Sequence, residues 1–272
     1  WQDFGNDYIY INCTGNKKIE NAGELAKKYS DRHFGIGADG IILIEDSNVT
    51  DFKMRIFNSD GSEAEMCGNG IRCVGKYVYD EGLTDKQDIT IETLAGIKKL
   101  HLSCDRSQCS KVEVDMGEPE FKSKDLPSIQ DEEITKDLKL DVGDNEYRFT
   151  LVSMGNPHAV TFVEDVENIP LDKYGPMIEK NKIFPNRTNV EFVQINDKNN
   201  IKMRVWERGS GETFACGTGA CASVVAGGIN GYTDENVTVE LPGGKLNINW
   251  NKDNHVYMEG PATKVYEGEI DL

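Results

Sequence analysis

Cys67 and Cys216 occupy matching places in two copies of one sequence block, the strongest chemical signal in the chain. Residues 53–70 (KMRIFNSDGSEAEMCGNG) lie over residues 202–219 (KMRVWERGSGETFACGTG) without a gap, so that Glu63 falls on Glu212, Cys67 on Cys216, Gly68 on Gly217 and Gly70 on Gly219. Two thiols on opposite faces of one carbon can invert it. One takes a proton as thiolate while the other returns a proton from the far side. A free thiol ionises at about pH 8.5, and a helix start, with its unpaired N–H groups and dipole, lowers that value, so the sequence predicts a usable thiolate. The glycines beside each cysteine let backbone N–H groups approach a bound carboxylate. Two such sites meeting on one carboxylate would stabilise the charge that develops as the neighbouring carbon loses its proton.

The repeat reaches well beyond the cysteines. Gly5-Asn6 lies over Gly155-Asn156, residues 89–92 (ITIE) over 237–240 (VTVE), and Met116-Gly117-Glu118-Pro119 echoes Met258-Glu259-Gly260-Pro261. Two similar halves predict a pseudo-two-fold molecule with its ligand between them. The expected domains are residues 1–112, completed by 262–272, and residues 113–261. Strand patterns dominate: residues 7–12 alternate, Gly40–Glu45 is an apolar run, and residues 53–57 precede a turn-rich 58–61. Residues 89–93 and 97–103 flank one hairpin turn, and residues 237–241 and 245–250 flank a similar one. After each Cys-Gly-x-Gly the period becomes helical, over 71–81 ending at Gly82 and over 220–230 ending at Gly231, where a C-cap belongs. The second of these is apolar nearly all round, as suits a helix enclosed by sheet. Residues 122–145, polar apart from 134–142, read as a surface connection.

Composition narrows the partners. At 272 residues, with 30 Lys and Arg against 47 Asp and Glu, the chain carries a net charge of −17. That balance excludes nucleic acid and an anionic membrane surface as natural partners, but not a small zwitterion. No apolar run approaches the roughly 20 residues of a membrane span. Residues 1–13 lack signal-peptide character, and seven cysteines, an odd number, fit a reducing cytoplasm better than a disulfide framework. Cys13, Cys73, Cys104, Cys109 and Cys221 read as core or surface thiols, and no metal site is assigned. Gly35-Ile36-Gly37-Ala38-Asp39-Gly40 satisfies the dinucleotide pattern, but a strand-like run follows it where a helix is needed, so it reads as a turn at the rim of the site. His33, His101 and His255 read as structural.

The motifs MCGNGIRC (66–73), ERGSGETFACGTGACA (207–222), FNSDGSEAEM (57–66), GNPH (155–158), RTNVEF (187–192) and DRHFGIGADG (31–40) resemble the diaminopimelate epimerase family across nearly the whole chain. Proline racemases and phenazine-pathway isomerases share that fold, but proline racemases typically carry histidine where this chain has Asn69 and lack the Glu207-Arg208-Gly209 block. The resemblance implies an α+β fold of two pseudo-symmetric domains, each a curved, mixed or antiparallel sheet wrapped around a central helix. It implies a cofactor-independent epimerase, acting on an amino acid as a homodimer and interconverting LL- and meso-2,6-diaminopimelate for lysine and cell-wall synthesis. Cys67 and Cys216 would be the acid/base pair. Gly68-Asn69 and Gly217-Thr218 would hold the reacting carboxylate. Asn6, Asn58, Asn156, Asn189, Glu207 and Arg208 would grip the remaining amino and carboxylate groups, with His158 assisting. The residue types fit: Arg pairs bidentately with carboxylate, Glu accepts from ammonium, and Asn both donates and accepts. The chain departs from the family in having Gln2-Asp3-Phe4 where His-Gly is usual.

Alternatives are another racemase of this fold, such as one acting on proline, a thiol redox enzyme, and a binding module without turnover. The absence of a C-x-x-C motif weighs against redox chemistry.

Overall fold

A computed structural model describes residues 1–15, 17–105, 108–122, 126 and 134–270. Part of the connection read over 122–145 therefore lies outside the described residues. The chain forms two compact units, Trp1–Asp115 joined by the segment from Glu259 onward, and Met116–Met258.

In the first unit the elements run β1 (Gln2–Asp3), β2 (Asn6–Cys13), α1 (Ala22–Ser30), β3 (Gly40–Glu45), β4 (Phe52–Asn58), β5 (Glu63–Ala64), α2 (Gly68–Asp80), β6 (Asp88–Thr93), β7 (Gly96–Asp105) and β8 (Gln108–Asp115). The second unit contains β9 (Leu138–Val142), β10 (Asn145–Ser153), β11 (Pro157–Phe162), α3 (Leu171–Glu179), β12 (Asn189–Asp197), β13 (Asn200–Glu207), β14 (Gly211–Thr213), α4 (Gly217–Ile229), β15 (Asn236–Leu241) and β16 (Gly244–Trp250), and β17 (Val256–Gly260) leads the chain back to the first.

The strands of the two units have the same wiring. In the first, β2 and β3 run parallel, β3 and β4 antiparallel, β4 and β6 parallel, and β6, β7 and β8 antiparallel. In the second, β11 and β12 run parallel, β12 and β13 antiparallel, β13 and β15 parallel, and β15 and β16 antiparallel. The short strands β5 and β14 fold back on β4 and β13 and deliver the chain to α2 and α4. This is the mixed α+β architecture that the resemblance implies, duplicated as the repeat predicts.

Local sequence explains the layers. Strand β3 is buried almost throughout because Ile41, Ile42, Leu43 and Ile44 face helices or strands on both sides. Ala22 and Ala26, one turn apart on α1, pack against Ile41 and Leu43. In α4 the small residues of GTGACASVVAGGI let strands β10, β11, β12, β13, β15 and β16 approach closely, and the helix is buried from Ala220 to Gly227. Gly82 and Gly231, with φ of 68° and 73°, follow α2 and α4 in the left-handed conformation that a C-cap requires.

Candidate active site

In the first unit, β5 carries the chain to Cys67, which caps the N-terminus of α2 with extended backbone (φ −137°, ψ 117°). The Gly70 N–H donates to Cys67 Sγ at 3.3 Å, and the thiol points at Asn6 Oδ1, also at 3.3 Å. Asn6 is held in turn, its Nδ2 donating to Asp39 Oδ2 at 2.7 Å. Asp39 also accepts from Arg32. Tyr8 is buried beside these groups; burial raises its phenol above the usual range, and the neighbouring Cys67 and Asp39 add to the shift.

Gly68 and Asn69 form the first turn of α2. The Asn69 side chain is tied down, for its Oδ1 accepts from Arg72 Nη2 at 2.7 Å. Arg72 is fully buried and donates from Nε to Asp3 Oδ2 at 2.8 Å. The departure at Gln2-Asp3-Phe4 therefore has a structural use: Asp3 supplies the counter-charge that lets Arg72 sit under the helix start. Phe4 takes φ 54° in the turn to β2. Asn58 stands at the end of β4, paired in register with Gly40, and its Nδ2 donates to Ser62 Oγ at 3.1 Å.

In the second unit, β14 leads to Cys216, the N-cap of α4 with φ −127° and ψ 111°. Thr218 Oγ1 lies 3.5 Å from Cys216 Sγ and accepts from Asn156 Nδ2 at 3.2 Å. Asn156 Oδ1 is 3.0 Å from His158 Nε2, and His158 Nδ1 is 2.6 Å from Glu191 Oε1. His158 and Glu191 are both fully buried. Glu207 accepts from the Thr213 hydroxyl at 2.6 Å, and burial raises its carboxyl above the usual range. Asn189 is used at both ends, its Nδ2 donating to the Pro157 carbonyl at 2.9 Å and its Oδ1 accepting from the Arg208 N–H at 2.8 Å. It thereby fixes the turn that presents Arg208, whose guanidinium is exposed and donates to the Asn186 carbonyl.

Each unit thus gathers its own set: Cys67, Gly68, Asn69 and Asn6 in the first, with Asn58 near Asp39 through Gly40, and Cys216, Gly217, Thr218, Asn156, His158 and Glu207 in the second, with Asn189 and Arg208 on the adjoining turn. One expectation is corrected. The helix start does not leave Cys216 with a depressed ionisation; the thiol is pushed well above its ordinary value, first by complete burial and then by the carboxylates of Glu207 and Glu191. Sequence reading also missed Tyr8, Asp39, Arg72 and Glu191 as neighbours of the site. For Glu191 a signal existed, a carboxylate inside the otherwise apolar run VEFV.

The family model described as diaminopimelate epimerase matches residues 3–122 and 150–265. A diaminopimelate epimerase of Methanococcus maripaludis strain S2 is 57% identical over 269 residues, covering 98% of this chain and 97% of that protein. One from Acetivibrio thermocellus is 57% identical, covering 98% and 96%. Among solved structures, a phenazine biosynthesis protein of the PhzF family from Bacillus anthracis superposes with a TM-score of 0.71 at 17% identity, covering 97% of this chain and 92% of that one, a likeness of fold.

Proposed function

The chain belongs to the diaminopimelate epimerase family, and from that membership we infer that it is an isomerase that interconverts LL- and meso-2,6-diaminopimelate, a step of lysine biosynthesis. The observation that carries the inference is identity of 57% spanning 98% of the chain.

For the mechanism we propose a two-thiol exchange. Cys67 and Cys216 flank the α-carbon of the reacting centre, one as thiolate and one as thiol. The thiolate withdraws the α-proton, the carbon becomes planar, and the opposite thiol delivers its own proton to the other face. Backbone N–H groups of Gly68-Asn69 and Gly217-Thr218 receive the carboxylate as negative charge builds on it. Asn6, Asn58, Asn156, Asn189, Glu207 and Arg208 hold the amino groups and the distal carboxylate, and His158 assists. The position of each cysteine at the N-cap of a long helix supports this reading. So does the environment of Cys216, where two carboxylates favour the protonated sulfur and suit it to the acid role. The domain limits first read from the repeat, a homodimeric assembly and a cytoplasmic location are carried over as parts of the same proposal. Among the described residues no helix is long and apolar enough to cross a membrane.

The test is to supply the purified protein with LL-diaminopimelate and, separately, with L-proline. Formation of meso-diaminopimelate with no racemisation of proline is expected. Turnover of proline alone would assign the chain to a different substrate within the fold.

A further inference from the structure

Glu191 lies in the middle of β12 and is fully buried, as is His158 on the parallel neighbour β11. Burial of a carboxylate is costly unless the group is paired and hydrogen-bonded. Here one oxygen meets His158, while Oε2 is buried with no hydrogen-bond partner among the described residues. The fold itself does not ask for a charge at this place. Matching Asn156 to Asn6 makes Tyr8 the counterpart of His158, and the strand registers then make Ile42 the counterpart of Glu191. The glycines agree: a Cβ on Gly70 would sit 2.8 Å from Ile42 Cδ1, and a Cβ on Gly219 would sit 2.8 Å from Glu191 Oε1. One half fills the site with an aliphatic side chain and the other with a carboxylate.

The contacts around Glu191 have a single polarity. A carboxylate accepts, so His158 Nδ1 carries a hydrogen toward it. His158 Nε2 lies 3.0 Å from Asn156 Oδ1, so the ring links the carboxylate to the amide. Asn156 then presents its Nδ2 to Thr218 Oγ1, which leaves the Thr218 hydrogen free to point at Cys216 Sγ. The carboxylate is also near the sulfur directly, since Glu191 Oε1 and Cys216 Sγ lie 2.8 and 3.3 Å from the same point, the place of a Gly219 Cβ.

We propose that Glu191 is a positioning residue for the epimerase reaction: it holds His158 in place, through it aligns Asn156 and Thr218 against Cys216, and brings a buried carboxylate close to that sulfur. The proposal rests on the reading of Cys216 as a catalytic thiol. The carboxylates acting on the sulfur are Glu207 from β13 and Glu191 from β12, with Thr218 and the Gly219 N–H as its neutral contacts from α4, while His158 of β11 meets Glu191 and Asn156. Burial acts on the thiol in the same direction as the two carboxylates.

Three variants decide the matter through the pH profile of kcat/KM, whose alkaline limb reports loss of the Cys216 proton. E191Q keeps an acceptor for His158 and removes the charge. E191I installs the residue type that the first half already uses and removes both. H158Q keeps a donor for Glu191 and leaves the carboxylate in place. The limb is expected to move to lower pH in E191Q and E191I by on the order of one unit, because a charge within about 6 Å acts on this scale, and to stay near wild type in H158Q, where the carboxylate remains. KM should stay within about twofold of wild type in E191Q, while kcat falls about tenfold or more in E191I, where the donor chain loses its anchor. Limbs of E191Q and E191I that coincide with wild type overturn the proposal, as does a shift of the opposite sign. Should E191Q fail to fold, E191I carries the same test. An active C216S variant would overturn the site reading instead, whatever the profiles show.

Discussion

The two helix starts are copies in sequence and opposites in surroundings. At the first, a half-buried sulfur receives a backbone N–H and faces a neutral amide, with Ile42 behind the turn. At the second, a buried sulfur has Glu191 in the place of Ile42 and Glu207 nearby. The equivalent asparagines differ in the same way, Asn6 meeting the sulfur directly and Asn156 reaching it through Thr218. Duplication supplied two thiols at the same local geometry, and strands distant in sequence then gave them different charge. A reaction that needs one base and one acid at any instant is served by that asymmetry.

The comparison can be broken at several points. Replacing either cysteine by serine should lower kcat more than about 1000-fold with unchanged circular dichroism, because a hydroxyl is too weak an acid to serve as the thiolate. Near-normal turnover in either variant would remove that thiol from the mechanism. The anchors of the two helix starts differ too: Arg72 and Asp3 hold Asn69, whereas Asn156 holds Thr218. R72M should leave Asp3 buried and unpaired and cost about 3–5 kcal/mol in denaturant unfolding, and an N156A variant should cost far less. A smaller effect separates the glycines. G219A would press a methyl on the Glu191 carboxylate and reduce kcat about tenfold or more, while G70A meets the movable end of Ile42 and should stay within about threefold of wild type.

The smallest expected effect is on stability in alkali. Because the folded state raises the ionisation of Cys216, the native protein holds that proton more tightly than the unfolded chain does. Stability from this thiol is complete below its unfolded value near pH 8.5 and drains away as pH rises above it, by about 1 kcal/mol per unit. C216A should therefore lose less melting temperature between pH 8 and pH 10 than wild type. Equal losses would mean that burial does not hold the proton.

Much of this was legible in the chain. The run Gly40–Glu45 coincides with β3, and the two hairpins and both cysteine-capped helices stand where the pattern put them. The helices begin earlier than the periodicity suggested, at Gly68 and Gly217, because glycine and asparagine in a first turn carry no helical signature. Helices α1 and α3 were not read. The interior of α3 contains Gly175 and Pro176, which argue against a helix locally, yet Gly175 leaves room for the ring of Trp206, and tertiary packing prevails. At the site, the repeat exposed the thiols but not their electrostatics. Asp3, Arg72 and Glu191 are buried charges whose partners lie far away in sequence; only Glu191, a carboxylate in an apolar strand, carries a local mark, and that mark does not name its partner. The low ionisation expected for a thiol at a helix start failed at Cys216 for that reason: a dipole was visible in the sequence, but two carboxylates from other strands were not.

The central claim is that two separate groups handle the proton, one on each face of the carbon. It is tested most directly by following LL-diaminopimelate in deuterium oxide at early times. The two-thiol account predicts that deuterium appears at the inverted α-carbon of the meso product while unreacted LL substrate keeps its hydrogen. Deuterium entering recovered substrate as fast as product would mean that a single group exchanges with solvent and serves both faces, and would contradict the account.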